Sequence, residues 1–87
     1  MSSRLDRSWI VLASYQTTEA DRCVDVFCRP AGTFGFEEFR RDSEDMGVWT
    51  PVSYYSRHEY PTLQAARVAA GKAVPWLTSI LDTQETL

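Results

Sequence analysis

The sequence predicts an α+β fold, in which an antiparallel β-meander of three or four strands carries a kinked C-terminal helix packed on one face. Two observations support this prediction. Residues 8–60 contain four extended, apolar stretches separated by short polar turns, and residues 63–84 repeat apolar side chains at helical spacing. Short turns favour sequential antiparallel neighbours, because adjacent elements in sequence usually pair in space.

The first strand, at residues 8–15, is apolar on both of its alternating faces. At alternate positions its side chains form two sets, with Trp9, Val11, Ala13 and Tyr15 on one face and Ile10 and Leu12 on the other. A strand that is apolar on both sides is usually central, or is covered on its second face by a partner. The polar loop 16–21 then leads into a second strand at residues 22–29.

The third stretch, residues 34–42, is predicted to be a strand that ends in an acidic turn at residues 42–47. Three phenylalanines and a glycine within its first six residues favour a strand over a helix. Residues 48–60 form the fourth extended stretch. Pro51 cannot donate to a strand ladder, so this stretch is expected at a sheet edge or at a bulge.

The C-terminal part has the signals of a helix with one interruption. Thr62 precedes the apolar stripe and is the predicted N-cap. Pro75 lies inside the stripe, where its ring would collide with the carbonyl of Gly71 and where it removes a backbone donor. We therefore expect a kink, or a break into two short helices, at residues 74–77.

Length and charge set limits on the function. The 87 residues are expected to form one domain, with residues 1–7 and 83–87 frayed. The formal net charge of −3 provides no global attraction for phosphate backbones, which argues against nucleic acid as a partner. The apolar run at residues 9–13 is too short for a signal peptide or a membrane span, so we expect a soluble, cytoplasmic protein without membrane contact.

The charged segment at residues 37–45 is interpreted as a solvated edge. Glu37 and Glu38 are consecutive, so on a strand they point to opposite faces and cannot converge as a catalytic pair. Arg40 and Arg41 diverge in the same way and are flanked by acids. Salt bridges that keep the edge soluble explain these residues best.

No residue pattern predicts a catalytic, cofactor or metal site. His58 is the only histidine and is expected at the surface or at the helix entry. Cys23 and Cys28 lack the spacing of a zinc site and are expected to be reduced, partly buried side chains. The chain has neither a glycine-rich phosphate loop nor a calcium loop. We expect no cofactor, and the small-molecule ligand, if one binds, is unknown.

Aromatic and cationic residues form the candidate interaction surface. Its members are Trp9, Trp49, Tyr55, Arg57 and His58. Aromatic rings beside a cation can form an interface hot spot or can stack on bases. Packing in the core is the alternative that explains most of the aromatic set.

The order of these motifs resembles small uncharacterised bacterial proteins. The resemblance rests on the segment FGFEEFRRDSED, a Trp-Thr-Pro-Val strand, the tripeptide YYS and an alanine-rich helix that ends in AVPWL. It covers about residues 8–77. It implies a β-meander followed by one helix, and it implies no activity, cofactor or functional residue.

Three functional hypotheses follow. The leading one is a small non-enzymatic module for protein–protein interaction or self-association, as a homodimer or with a protein partner. It rests on the doubly apolar first strand and on the surplus of aromatic residues. The second is a small enzyme or ligand binder with a site near His58 and the start of the helix. The third is weak binding of single-stranded nucleic acid through Trp49, Tyr55 and Arg57.

Overall fold

The computed structural model describes residues 6–42 and 47–85. In chain order its elements are β1 (Ile10–Gln16), β2 (Arg22–Cys28), β3 (Phe34–Arg41), β4 (Trp49–Pro51), a 3₁₀ helix (Tyr55–Arg57), α1 (Leu63–Ala73) and α2 (Pro75–Glu85). The strands form one antiparallel four-stranded sheet in the order β1-β2-β3-β4. The predicted α+β fold, an antiparallel meander followed by a C-terminal helical segment interrupted near Pro75, is therefore confirmed.

The segments expected to fray lie partly outside the described residues, as does the middle of the acidic turn at 43–46. Residues 6–9 form a turn in which the N–H of Trp9 donates to the carbonyl of Asp6 at 3.1 Å. Asp6 also accepts from the N–H and the hydroxyl of Ser8, at 2.9 and 2.7 Å. These two bonds, the backbone one first, hold the pKa of the Asp6 carboxyl below the ordinary value for aspartate.

Of the two expectations for β1, a central position and cover by a partner, the structure contradicts the first. β1 lies at an edge of the sheet and pairs only with β2 among the described strands. The register pairs Val11 with Phe27 and Ala13 with Val26, so that Leu12 is the extra residue of a β-bulge. A bulge shifts the alternation by one position. The two-sided apolar pattern therefore comes from this shift within one strand, and a central position is not needed to explain it.

The core lies between the sheet and the helices. Its buried members are Val24, Val26, Phe36, Ala66, Ala70, Val74 and Leu77. The small side chains of α1 let the helix approach β2 and β3 closely, while larger residues of α2 fill the space farther along. Ala13 and Tyr15, which follow the bulge, pack against this cluster.

The break between the helices lies at Pro75, as predicted. Val74 is extended, with φ −121° and ψ 96°, which is the conformation favoured for a residue before proline. Pro75 is the first residue of α2, where a missing N–H costs nothing. The hydroxyl of Thr78 donates to the carbonyl of Gly71 at 2.8 Å and so supplies the bond that the proline cannot make. The predicted N-cap is also present, because the Thr62 hydroxyl accepts from the N–H of Ala65 at 3.0 Å.

The fourth extended stretch is shorter than expected. Only Trp49–Pro51 is a strand, at the sheet edge that Pro51 predicted. The chain then forms the 3₁₀ helix and returns to β3 at Tyr60. There Phe34 and Tyr60 exchange two backbone hydrogen bonds, of 2.8 and 2.9 Å. Residues 52–59 therefore run along the outer side of β3 without joining the sheet as a strand.

Candidate interaction surface

The start of β1, at the sheet edge, exposes three consecutive aliphatic side chains to solvent. Ile10, Val11 and Leu12 are 63%, 42% and 46% exposed, and we call this set the aliphatic edge. From Ile10 to Gln16 the strand contains no charged residue and no proline. Natural sheet edges are usually protected by charges, prolines, short strands or bulges. The bulge at Leu12 is the one such device in β1.

The opposite side of the sheet is closed by its own chain. β4 has only three residues and includes Pro51. Past β4, the N–H of Val52 donates to the carbonyl of Glu38 at 2.9 Å, and the Phe34–Tyr60 bridge completes the outer side of β3. The two edges of the sheet therefore differ, since one is a seven-residue uncharged strand and the other is a three-residue strand with a proline, continued by a loop bonded to β3.

Trp9, a member of the predicted surface, is half-buried on the sheet. Its ring stacks on Phe27 with centroids 4.7 Å apart and an interplanar angle of 6°. The Arg29 guanidinium lies 4.7 Å from the centroid of Trp9 and 4.9 Å from that of Phe27. Trp9 thus fixes the chain just before the aliphatic edge, and it belongs to a packed cluster of rings and cation.

Arg29 also binds the backbone of the loop beyond β4. Its Nη2 donates to the carbonyls of Ser56 and His58 at 2.6 and 3.3 Å, and its Nη1 donates to that of Phe34 at 3.0 Å. Gly35 leaves the space that this guanidinium needs, because a Cβ there would lie 2.9 Å from Nη2. The prediction from sequence did not identify this role for Arg29.

Glu37 holds the other end of the same loop. Its carboxylate accepts from the N–H groups of Tyr55 and Ser56, at 2.9 and 3.1 Å, where the 3₁₀ helix begins. Tyr54, just before it, has φ 56° and ψ 43°, a left-handed conformation that is rare for a bulky residue. The Glu37 and Arg29 contacts offset the cost of this conformation, about 1–3 kcal/mol.

The expectation that Glu37 and Glu38 belong to a solvated edge is wrong. β3 is an internal strand, and both carboxylates are buried on opposite faces of it. The Glu38 carboxylate accepts from Nε1 of Trp76 at 3.0 Å and contacts Arg22 at 3.5 Å, which ties α2 to the sheet. The divergence of the two acids was predicted correctly. Arg40 and Arg41 are exposed, as expected.

β2 carries a buried polar group that the sequence did not lead us to predict. Asp25 is fully buried and faces Glu37 across the β2–β3 ladder. Its carboxylate accepts from the hydroxyl of Ser14 at 2.7 Å and from the thiol of Cys23 at 3.3 Å. The sequence signal that could have indicated this buried acid is its position between Val24 and Val26 in an otherwise apolar strand. These bonds make Asp25 part of the framework that joins β1 to β2.

The five predicted surface residues lie in different surroundings. Tyr55 stacks on Phe36 in the core, with centroids 5.0 Å apart. Trp49 is half-buried beneath the guanidinium of Arg41, which lies 4.6 Å from its ring centroid. Arg57 and His58 are exposed on the loop, where Arg57 lies 5.8 Å from the ring of Tyr54. The expectation of an exposed His58 is thus confirmed.

The remaining described parts of the chain offer weaker candidates for a functional site. A cavity of about 60 Å³ lies between α1 and α2 and is lined by Gln64, Arg67, Val68 and Leu81. Within residues 6–42 and 47–85, no three histidine, cysteine, aspartate or glutamate side chains lie close enough together to hold a metal ion. In the same ranges, neither helix has the length and apolar character needed to cross a bilayer.

Comparison of the chain with models of protein families, with curated proteins and with solved structures finds no match in any of the three.

Proposed function

We propose that this chain is a non-enzymatic interaction module that binds an extended polypeptide segment along the open side of β1. The observation that supports the proposal best is the aliphatic edge, which exposes Ile10, Val11 and Leu12 on an uncharged, proline-free strand. An added strand would gain main-chain hydrogen bonds from the sheet edge and apolar contacts from these side chains.

The asymmetry of the sheet supports the same site. On the far side, β4 is short and contains Pro51, and the loop that follows it bonds to the outer side of β3. Strand addition is therefore expected at β1 and not at β4. The predicted aromatic surface contributes through Trp9, whose stacking on Phe27 holds the entry to β1 in place.

The functional groups that an enzyme would need have structural partners. Glu37 binds the loop N–H groups, Glu38 binds Trp76, and Asp25 binds Ser14 and Cys23. These contacts favour the non-enzymatic hypothesis over a site near His58. We expect the module to work in the cytoplasm, where thiols such as Cys23 and Cys28 stay reduced.

A strand-shaped probe tests the proposal. The probe is a fluorescently labelled peptide that copies residues 9–16, with terminal lysines for solubility, and its binding is measured by anisotropy. We expect saturable binding with a dissociation constant on the order of 10–100 μM, because one short strand buries less than a standard interface. The same peptide with the change Leu12→Pro is expected to bind at least about tenfold more weakly, since proline breaks the added ladder.

Two protein variants form a matched pair for this assay. Val11 is 42% exposed on the aliphatic edge and Val68 is 46% exposed on α1. Val11→Lys should abolish probe binding, and Val68→Lys should leave it unchanged. Equal binding by both variants, or no binding of the probe to the unmodified protein, would show that the β1 edge does not accept strands.

A further inference from the structure

We propose that residues 53–59, which we call the strap, form a two-state switch that exchanges Tyr55 for Tyr54 as the ring packed on Phe36. The closed state is the one in the structure. In the second, extended state, β4 continues to Tyr54, which pairs with Phe36 across the outer side of β3. The switch lies on the opposite side of the sheet from β1, so it goes beyond the function proposed above and does not depend on it.

The first observation is a gap in the ladder along the outer side of β3. Phe34 exchanges two backbone bonds with Tyr60. Farther along β3, the Glu38 carbonyl accepts from the N–H of Val52. Alternate residues of an antiparallel strand direct their N–H and C=O groups to the same side, so Phe36 directs its own toward the strap. Both partners lie in the described part of the chain, where no hydrogen bond joins these groups to the strap. Phe36 is only 1% exposed, and buried peptide groups are rarely left without a bond.

The second observation is that β4 and the bridge at Tyr60 follow different registers. β4 pairs Pro51 with Phe39, and this register continued for three positions places Tyr54 opposite Phe36. Between the two bonded points, three residues of β3 lie opposite the seven residues of the strap, so four are in excess. The β4 register therefore ends just before the residue that would fill the gap.

The backbone of Tyr54 is what ends that register. Its φ of 56° and ψ of 43° are left-handed and turn the chain away from β3. A bulky residue keeps this conformation only when its surroundings compensate for the strain. Rotation of this one residue into the extended region would bring its N–H and C=O groups opposite those of Phe36. The strain and the gap in the ladder would be relieved together.

The two adjacent tyrosines can occupy the same site on Phe36. In the closed state the ring of Tyr55 stacks on Phe36 with centroids 5.0 Å apart, and Tyr54 is 56% exposed. Residues directly opposite each other in an antiparallel ladder lie on the same face. An extended Tyr54 would therefore lie beside Phe36 on the face that packs on the helices, and Tyr55, as the next residue, would point away from it. One tyrosine ring replaces the other, so the core stays filled.

Two side chains of the strands hold the strap closed. The Glu37 carboxylate accepts from the N–H groups of Tyr55 and Ser56, at 2.9 and 3.1 Å. The Arg29 guanidinium donates to two carbonyls of the strap, at 2.6 and 3.3 Å. Extension of β4 moves Tyr55 away from Glu37 and breaks the first pair of bonds. These bonds oppose the strain and the ladder gap, and such opposition is the condition for two populated states.

The switch changes what the far side of the sheet presents to solvent. In the closed state Tyr54 is exposed, with the guanidinium of Arg57 lying 5.8 Å from its ring centroid. In the extended state Tyr54 is packed on the core, and Tyr55 is released from it. A partner that contacts the exposed ring of Tyr54 would therefore favour the closed state, because a ligand shifts the population toward the state that it binds better.

Matched truncations of the two tyrosines test the inference by NMR of the isotope-labelled full chain. Chemical-exchange saturation transfer at residue 54 gives the population and the backbone shifts of the minor state. Tyr54→Gly removes both the strain of the closed state and the ring that the extended state needs. Tyr55→Ser removes the ring that stacks on Phe36 in the closed state. Ala20→Gly is the control, because Ala20 is also left-handed, with φ 58°, and lies outside the strap.

We expect opposite effects from the two truncations. The extended state, recognised by strand-type shifts at residue 54, should be at least about tenfold more populated in Tyr55→Ser than in the unmodified chain, and at least about tenfold less populated in Tyr54→Gly. Ala20→Gly should leave the population unchanged. Glu37→Gln keeps both rings and weakens the closed state, so it should also raise the extended population, and it decides the test if Tyr55→Ser does not fold.

Three outcomes would overturn the inference. The first is that residue 54 shows only left-handed shifts in the folded chains of Tyr55→Ser and Glu37→Gln. The second is a minor state with random-coil shifts at residue 54, which would be local unfolding without a second register. The third is an equal change of the population in Ala20→Gly and Tyr54→Gly, which would mean that the strap responds only to overall stability.

Discussion

The carboxylate of Glu37 caps the 3₁₀ helix at Tyr55, although 18 positions separate the two residues along the chain. The cap comes from a neighbouring strand, because Tyr54 at the N-cap position makes no side-chain bond to the helix. Together with Arg29, which binds the carbonyls of Ser56 and His58, it fixes a loop that closes one side of the sheet. This arrangement leaves β1 as the edge at which we propose that a strand adds.

Replacing Glu37 should loosen this loop. In Glu37→Gln only one oxygen remains, so one of the N–H groups of Tyr55 and Ser56 loses its acceptor. Bonds to a charged group contribute about 1.5–3 kcal/mol, so we expect the exchange of these two amides to speed up at least about tenfold relative to the buried amide of Val26. Amide hydrogen exchange followed by NMR measures the ratio. Glu19→Gln, in an exposed turn, is the control and should leave the ratio of exchange rates unchanged. An unchanged ratio in Glu37→Gln would contradict the role of this carboxylate in holding the loop.

Two glycine substitutions should have opposite effects on stability. A Cβ at Gly35 would lie 2.9 Å from Nη2 of Arg29 and 3.0 Å from the Phe27 ring, so Gly35→Ala displaces the guanidinium. We expect it to cost about 1–3 kcal/mol, as overpacking does. At Gly71, inside α1, a Cβ meets Leu81 and Thr78 at an ordinary 3.7 Å.

Gly71→Ala should therefore stabilise the protein by up to about 1 kcal/mol, since alanine is the better helix former. Urea denaturation of both variants, with the unmodified protein as reference, gives the two free energies of unfolding. Equal effects of the two substitutions would contradict the close packing of Arg29 over Gly35.

The helix break should depend on the hydroxyl of Thr78. This hydroxyl bonds the Gly71 carbonyl, which Pro75 leaves without its usual helical donor. Thr78→Val removes the bond at nearly constant volume and should cost about 0.5–1.5 kcal/mol, while Thr78→Ser keeps the hydroxyl and should retain most of the stability. Thermal unfolding compares the two variants. A valine variant as stable as the serine variant would remove Thr78 from this role.

Much of the fold could be predicted because its signals are local. Thr62 and Pro75 act on the backbone of their own neighbourhood, so the helix start and the break followed from residue type. The bulge at Leu12 has no such signature, and it changed which side chains of β1 face solvent. The roles of Glu37 and Arg29 depend on a loop far away in sequence, which only the folded chain brings near.

The turn before β1 should respond to acid. The folded pKa of Asp6 is lowered by the bonds from Ser8, so the turn gains stability above the unfolded pKa of about 3.9 and loses it as the pH falls through the folded value. The Ser8 amide resonance should therefore titrate with a midpoint below that of an unstructured aspartate. In Ser8→Ala, which removes the hydroxyl bond, the midpoint at the amide of residue 8 should rise. A midpoint at the ordinary value in the unmodified protein would contradict the bonded turn.

The central claim is that the sheet accepts a strand at β1. NMR titration of the isotope-labelled protein with the β1 probe peptide tests this claim most directly. We predict that the amide resonances of residues 10–13 shift progressively with added peptide, while those of residues 49–50 and 54–58 stay in place. Shifts centred on residues 49–58, or no shift at residues 10–13 at saturating peptide, would contradict it.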